Sequence, residues 1–458
     1  MLNIYILFIT YKHKKGNVIL DSNGSLIFFN DWLAGKRSLI QSIVIFTLFF
    51  PLFFQLQGTI FTYSGIKFDS EGILTQLPLP LSSITCFIGL AFLIRYDIAV
   101  RSVGILFSLF MLMLLSTFIT SSSTNNILGK LILLTQTILP VFALALGQSY
   151  KTPENLFLKF ESIFLYVLVF VVPLEVICTL MSTEAFLSPS LYFFSIYQYL
   201  QYVPVIFVGA YFLTLSSLHK NKILGWLAIS LAPFMGIYTA ASLSTLAIFL
   251  GLTSSIGLIF LSYKSCRCNY TLTSALIFII SFGAYYSVVK SSATFEQKFG
   301  AIVEDYGLNL DKNYHAPDNI KVKSNIKQRI EYWKFYFNGI VEGPSEFIFG
   351  HPKRPDRNST PSAHNYYLDL AYNFGFIAVI PFLYLIFFTL KELFLCYRRG
   401  VPFHSFWWLS SIVLFFVLVD NSFKVGLRQP YPGMVMFFLW GVLLSTFHRI
   451  NLVEPEQV

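Results

Sequence analysis

Runs of about twenty mainly apolar residues recur along this 458-residue chain, each the length an α-helix needs to cross the hydrocarbon of a bilayer. Twelve can be read, centred near Phe46, Phe87, Met111, Leu134, Val169, Phe207, Leu231, Leu250, Ile279, Pro381, Leu414 and Phe438. Such segments satisfy their backbone polar groups internally, so the sequence predicts an all-α integral membrane protein with about 12 transmembrane helices. Composition agrees: 55% of residues are hydrophobic and 12% charged, about half the usual charged share of a globular domain. A soluble globule would have no place for that much apolar surface, which includes fifty Phe. Disordered, collagen-like, coiled-coil and disulfide-scaffold classes fall on the same figures. Pro140, Pro173, Pro204, Pro233 and Pro381 lie inside runs and are expected to kink helices rather than break them.

Lys and Arg in the short connections set an orientation, because cytoplasmic loops retain positive charge. Seventeen of the 32 basic residues fall in one set of connections, from Lys12 and Lys14 through Arg95, Lys151, Lys220 and Lys264 to Arg399 and Arg449. The short connections of opposite parity hold Lys67, Lys130, Lys424 and Arg428. Both termini are therefore expected to be cytoplasmic. The expected organisation is a cytoplasmic segment over 1–37, transmembrane helices one to nine over 38–289, a large external loop over 290–364, helices ten to twelve over 365–447 and a cytoplasmic tail over 448–458. The apolar stretch Leu2 to Tyr11 precedes its basic cluster instead of following one, unlike a cleavable signal peptide. None of the five cysteines falls in an external segment, so no disulfide framework is expected, and Cys266-x-Cys268 is far short of a zinc site.

The external loop is the one long polar stretch, with nine acidic and eleven basic residues. Its first half, Glu296 to Ser324, has no steady period. From Ile326 the apolar positions Ile326, Ile330, Trp333, Phe337 and Ile340 step by four and three, which predicts an amphipathic helix lying in the membrane interface. Arg329 shares a turn with Trp333 and Tyr336, placing it at lipid-phosphate depth. Gly343 and Pro344 stop the helix, and a proline-broken basic stretch with Arg354 and Arg357 leads to His364 at the membrane.

There the chain reads His364, Asn365, Tyr366, Tyr367, Leu368, then six residues to Gly375. This His-Asn-x-x-Leu-x6-Gly pattern, entering a transmembrane helix after a large external loop, resembles the signature of the O-antigen ligase and Wzy-type O-antigen polymerase superfamily. Arg329 with Trp333 four residues on, followed by Pro344 and Gly350, is similar to the same family's upstream pattern. The resemblance implies a glycosyltransferase of the bacterial inner membrane, working at the periplasmic face on undecaprenyl-diphosphate-linked oligosaccharide. One feature departs from it. An earlier external loop that often carries an Arg beside a Ser in that family here reads Thr239, Ala240, Ala241, Ser242, Leu243, Ser244.

Sugar transfer from a lipid diphosphate needs cations for the leaving diphosphate and a base for the attacking hydroxyl. Arg donates bidentate hydrogen bonds that strengthen as charge develops, and neutral His accepts a proton near its ordinary pKa. His364 is therefore assigned as general base and Arg329 as a diphosphate contact, with Trp333 and Asn365 of the same pattern in the substrate-binding set. Asp420, Lys424 and Arg428 form a polar connection between the last two runs. Lys424 or Arg428 stands in for the missing Arg, and Asp420 orients a base or the acceptor hydroxyl; the bland alternative is a solvated turn closed by prolines. Arg354 and Arg357 are further glycan or diphosphate contacts. Glu175 is a carboxylate inside a run, read as structural or as part of a proton path. No nucleotide loop or metal motif is present, so no cofactor or metal is expected, nor any nucleic-acid partner. Besides the lipid-linked oligosaccharide and the bilayer, a chain-length regulator protein is the partner the resemblance allows. Three products fit the pattern: polymer, glycan ligated to lipid A core, or glycan on protein. Polymerisation is preferred because the chain carries no added soluble domain. A lipid-linked oligosaccharide transporter is the rival class, opposed by the short link His219 to Lys222 at mid-chain and the lack of related halves.

Overall fold

The computed structural model describes residues 96–121, 127–149, 154–181, 202–216, 222–264, 270–291, 325–353, 363–401 and 405–452, with a few positions between 39 and 47 and at 87. Contacts divide the chain into Met1–Ile43 and Val44–Val458, and every helix named below belongs to the second unit. The expected runs near Phe46 and Phe87, the loop segment 292–324, and Arg354 and Arg357 lie wholly or almost wholly outside the described residues.

Helices follow one another as α1 (Tyr96–Ser121), α2 (Ile127–Ile138), α3 (Phe142–Ser149), α4 (Glu154–Met181), α5 (Val203–Leu215), α6 (Lys222–Ala241), α7 (Thr245–Lys264), α8 (Tyr270–Val289), α9 (Asn325–Ile340), α10 (Pro344–Phe349), α11 (Tyr366–Phe374), α12 (Phe376–Arg398), α13 (Ser405–Leu414) and α14 (Pro430–Leu452). Between α13 and α14 come a π-helical turn, Phe415–Asp420, and short turns Asn421–Phe423 and Gly426–Arg428. No strand occurs among the described residues. Among the described residues, seven stretches are long and apolar enough to cross a membrane: Gly104–Ser121, Gly129–Gln148, Ser162–Met181, Lys222–Ala241, Tyr270–Val289, Phe376–Arg398 and Ser405–Phe423. Val203–Leu215, Thr245–Leu261 and Pro432–His448 are shorter apolar helices. Together they occupy the ten runs read from Met111 to Phe438.

The packing is that of a protein whose outer solvent is apolar. Helix α5 is buried along its whole length, and Trp440 on α14 is 1% exposed, whereas Phe107, Ile280 and Phe387 turn outward at 60%, 69% and 67%. Helices α3 and α14 meet backbone to backbone, since a Cβ on Gly441 would sit 2.1 Å from the Leu144 carbonyl oxygen and one on Gly147 2.2 Å from that of Phe438. Small residues permit such close approach where lipid offers no hydrophobic drive to hold helices together.

Two proline expectations need correction. Pro204 lies at the first turn of α5, where its missing N–H leaves nothing unsatisfied, so it starts that helix. Pro140 separates α2 from α3 through three-residue turns, Val141 N–H to Ile138 O at 3.1 Å and Phe142 N–H to Leu139 O at 3.2 Å, and so breaks the helix. Pro173, Pro233 and Pro381 remain inside continuous helices.

Connections of one parity meet one another. Lys130 donates to the His351 carbonyl at 2.9 Å and to the Thr120 hydroxyl, and Ser116 donates to the Phe349 carbonyl at 2.5 Å. On the other parity, the Thr271 hydroxyl donates to the Leu215 carbonyl at 3.1 Å and the Trp226 and Tyr270 rings lie 5.7 Å apart. The first set ties the end of α1 and the start of α2 to the end of α10 and the segment that follows it.

Candidate functional site

The spacing of the His-Asn-x-x-Leu-x6-Gly pattern corresponds to one short helix, α11. Asn365 caps it: its Oδ1 accepts from the N–H groups of Tyr367 at 3.0 Å and Leu368 at 3.1 Å, satisfying donors that a helix start leaves open. Gly375 ends it at φ +77, where a Cβ would fall 2.0 Å from the Ile348 carbonyl oxygen. Gly350, at φ +88, presses on the same joint, and a Cβ there would come within 2.7 Å of the backbone at Asn373, Phe374 and Gly375. The His351 N–H donates to the Tyr372 carbonyl at 2.7 Å. The glycine pattern of the sequence is thus the contact that seats α10 on the α11–α12 corner. His364 stands just ahead of the cap at φ +46, a left-handed backbone unusual for a residue other than glycine but better tolerated by His, Asn and Asp than by most.

Helix α9 forms over the expected residues, but its buried stripe differs from the expected one. Tyr336 and Ile340 are buried and Arg329 and Trp333 half-buried, whereas Ile330 and Phe337 face outward. The helix is apolar on two sides, one for the protein and one for its surroundings, and a three-four period cannot separate them. Arg329 accordingly faces the protein: its Nη1 donates to the Phe423 carbonyl at 3.0 Å. The Trp333 ring lies 5.9 Å from that of Phe423, and the His364 ring stacks 6.1 Å from Tyr332.

The connection between the last two apolar helices, for which a solvated turn was the alternative, is buried. Asp420 and Asn421 are fully enclosed and Lys424 is 7% exposed. Asn421 organises it, donating to the Phe416 carbonyl at 2.8 Å and accepting from the Leu427 N–H at 2.7 Å. The π-helical turn ends at Asp420, and the Tyr367 hydroxyl donates to its Val417 carbonyl at 2.7 Å. Asn365 Nδ2 donates to the Ser422 carbonyl at 3.1 Å, tying the start of α11 to this connection. Both ends of the Asn365 amide are thus engaged by backbone.

Two buried ion pairs result. Lys424 Nζ lies 3.0 Å from Asp420 Oδ1, and Arg428 Nη1 donates to Asp369 Oδ2 at 2.5 Å. Asp420 Oδ2 has no hydrogen-bond partner among the described residues. Tyr202, buried ahead of α5, lies between the pairs. The Lys424 ammonium is 5.9 Å from its ring centroid, and its phenol is an electrostatic neighbour of Arg428, Asp420, Asp369 and Arg329. With three cations against two carboxylates the cluster carries one net positive charge when His364 is neutral.

His364 is neutral over the ordinary range: burial, and then the neighbouring Arg329 charge, push its pKa down to about 4. Burial also lowers Arg329, opposed by Tyr202 and Asp420, and lowers Lys424, opposed by Asp420. Arg428 moves the other way, since the Asp369 carboxylate and the Tyr336 and Tyr202 oxygens outweigh its burial.

Of the residues expected from the sequence, the structure gathers His364, Arg329, Trp333, Asn365, Asp420, Lys424 and Arg428 in one neighbourhood, built from α9, α11 and the turns before α14. Glu175 is buried on α4, an electrostatic neighbour of Tyr238. The segment Thr239–Ser244 is a buried turn with Leu243 at φ +49, its Ser242 hydroxyl donating to the Thr239 carbonyl at 2.8 Å. Sequence reasoning missed Asp369 and Tyr202. Asp369 had a signal, an acidic side chain in an apolar run; Tyr202 had none. Among the described residues no group of three or more His, Cys, Asp or Glu could hold a metal ion. Compared with models of known protein families, the chain matches none, and a search of curated proteins returns no match.

Proposed function

We propose that the chain is a glycosyltransferase of the bacterial inner membrane that polymerises undecaprenyl-diphosphate-linked oligosaccharide repeat units at the periplasmic face. In this reading twelve spans place both termini in the cytoplasm, and the 290–364 loop and the turns before α14 lie outside. The supporting observation is the convergence of a neutral imidazole with three cations, Arg329, Lys424 and Arg428, at one end of an apolar helix bundle. That arrangement suits a donor whose diphosphate sits at the membrane surface while its isoprenoid stays in lipid.

The hydroxyl at the non-reducing end of the acceptor attacks the anomeric carbon of the donor sugar. The bond from that carbon to the diphosphate oxygen breaks, and the diphosphate leaves with the electron pair. His364 takes the hydroxyl proton. In the empty site its low pKa makes it a weak base, but the arriving diphosphate places negative charge beside the Arg329 that depresses it, and opposite charge at such range raises a base by about 1 to 3 units. Substrate binding thus tunes the base. Arg329 stabilises the leaving charge, and the net positive charge of the cluster favours an anion.

Deletion of the gene tests the reading. The surface polysaccharide should lose its long ladder and keep a single repeat on its anchor. Loss of every capped form, with polymer still on lipid, would make the chain a ligase, and unchanged glycan would refute the proposal.

A further inference from the structure

Asp369 belongs to no part of the expected site, yet it is 4% exposed and sits on α11 in the turn that follows the His364–Asn365 pair. Its Oδ2 receives Arg428 Nη1 at 2.5 Å, across 59 residues of chain. An ion pair taken out of water repays its desolvation poorly, and an apolar pair would tie α11 to the last connection as well. The charge therefore calls for a use beyond the tie. Arg428 offers one: a guanidinium carries five N–H donors in a rigid fork, and this hydrogen bond to Asp369 is its only one among the described residues. One edge is anchored and the rest of the fork remains available, 12% exposed, in a cluster it shares with Arg329 and Lys424 through Tyr202.

We propose that Asp369 is the positioning residue of Arg428, holding one edge of the guanidinium so that the other meets the second phosphate of the diphosphate donor. The inference rests on the functional reading above and gives the chain its substitute for the arginine missing from the Thr239–Ser244 turn. Asp369 touches no substrate. It acts by fixing the rotamer of the arginine that does, and the carboxylate–guanidinium–phosphate arrangement is charge-assisted at both contacts.

The test uses the full chain in lipid nanodiscs and undecaprenyl diphosphate as the probe. Asp369→Asn should weaken binding by about ten- to a hundredfold, the loss expected for a charged hydrogen bond, and Asp369→Glu should recover part of it. The exchange of Asp369→Arg with Arg428→Asp rebuilds an ion pair with its partners reversed. It should restore thermal stability without restoring binding, because the cation has moved to α11. If the exchanged protein binds as well as the wild type, the pair is a tie and nothing more, and the inference fails. Wild-type binding by a folded Asp369→Asn protein would overturn it equally. Absence of binding by the unaltered chain would instead overturn the functional reading itself.

Discussion

His364 combines a left-handed backbone with an imidazole that resists protonation, and both bear on how it can be tested. Because the free site depresses its pKa to about 4, first by burial and then through Arg329, the neutral form needed of a base is present at every pH above about 5. The account predicts that kcat/KM for the lipid-linked donor shows no acid limb near 6.5 and declines only as pH approaches 4. Residual activity in Arg329→Gln should show that limb moved upward, since the repulsive charge is gone while the burial stays. An acid limb near 6.5 in the wild type would contradict the assignment. His364 and Arg329 were legible in the sequence because the spacing around each is local. The pairing of Arg428 with Asp369 and of Lys424 with Asp420 was not. The first joins side chains 59 residues apart, and the second depends on a burial that a polar, proline-flanked stretch gives no hint of.

Among the elements, α11 and its flanking glycines set the geometry most tightly. A methyl group on Gly375 would meet the Ile348 carbonyl and would also force a side chain into φ +77, a conformation costing about 1 to 3 kcal/mol before any clash. Gly375→Ala should therefore lower the thermal midpoint in detergent by several degrees, while Gly104→Ala, with nothing within 4 Å, should leave it unchanged or slightly raised. Equal effects would show that the α10–α11 corner is not the tight joint described here. The extent of α9 was legible from its period, and its stripe was not, because Ile330 and Phe337 are as apolar as the residues facing the protein. The π-helical turn that ends at Asp420 left no trace in the sequence; its Val417 and Phe416 carbonyls accept from Tyr367 and Asn421.

In the whole molecule, the apolar runs carried most of the helical architecture. Ten runs coincide with described helices. What the runs could not convey is which helices lie at the centre: α14 is no more apolar than α8, yet α14 is buried along most of its length and α8 is largely exposed. The central claim is that this bundle presents a base and a cation cluster to a sugar diphosphate at its surface. Purified chain reconstituted in liposomes with undecaprenyl-diphosphate-linked repeat units, read out by glycan length and released undecaprenyl diphosphate, tests it most directly. The wild type should yield lengthened glycan and one released lipid diphosphate per bond formed. His364→Asn, which keeps the backbone preference but not the base, should be slower by about 10²- to 10⁴-fold. No lengthened product from the wild type, or equal rates from both proteins, would contradict the account.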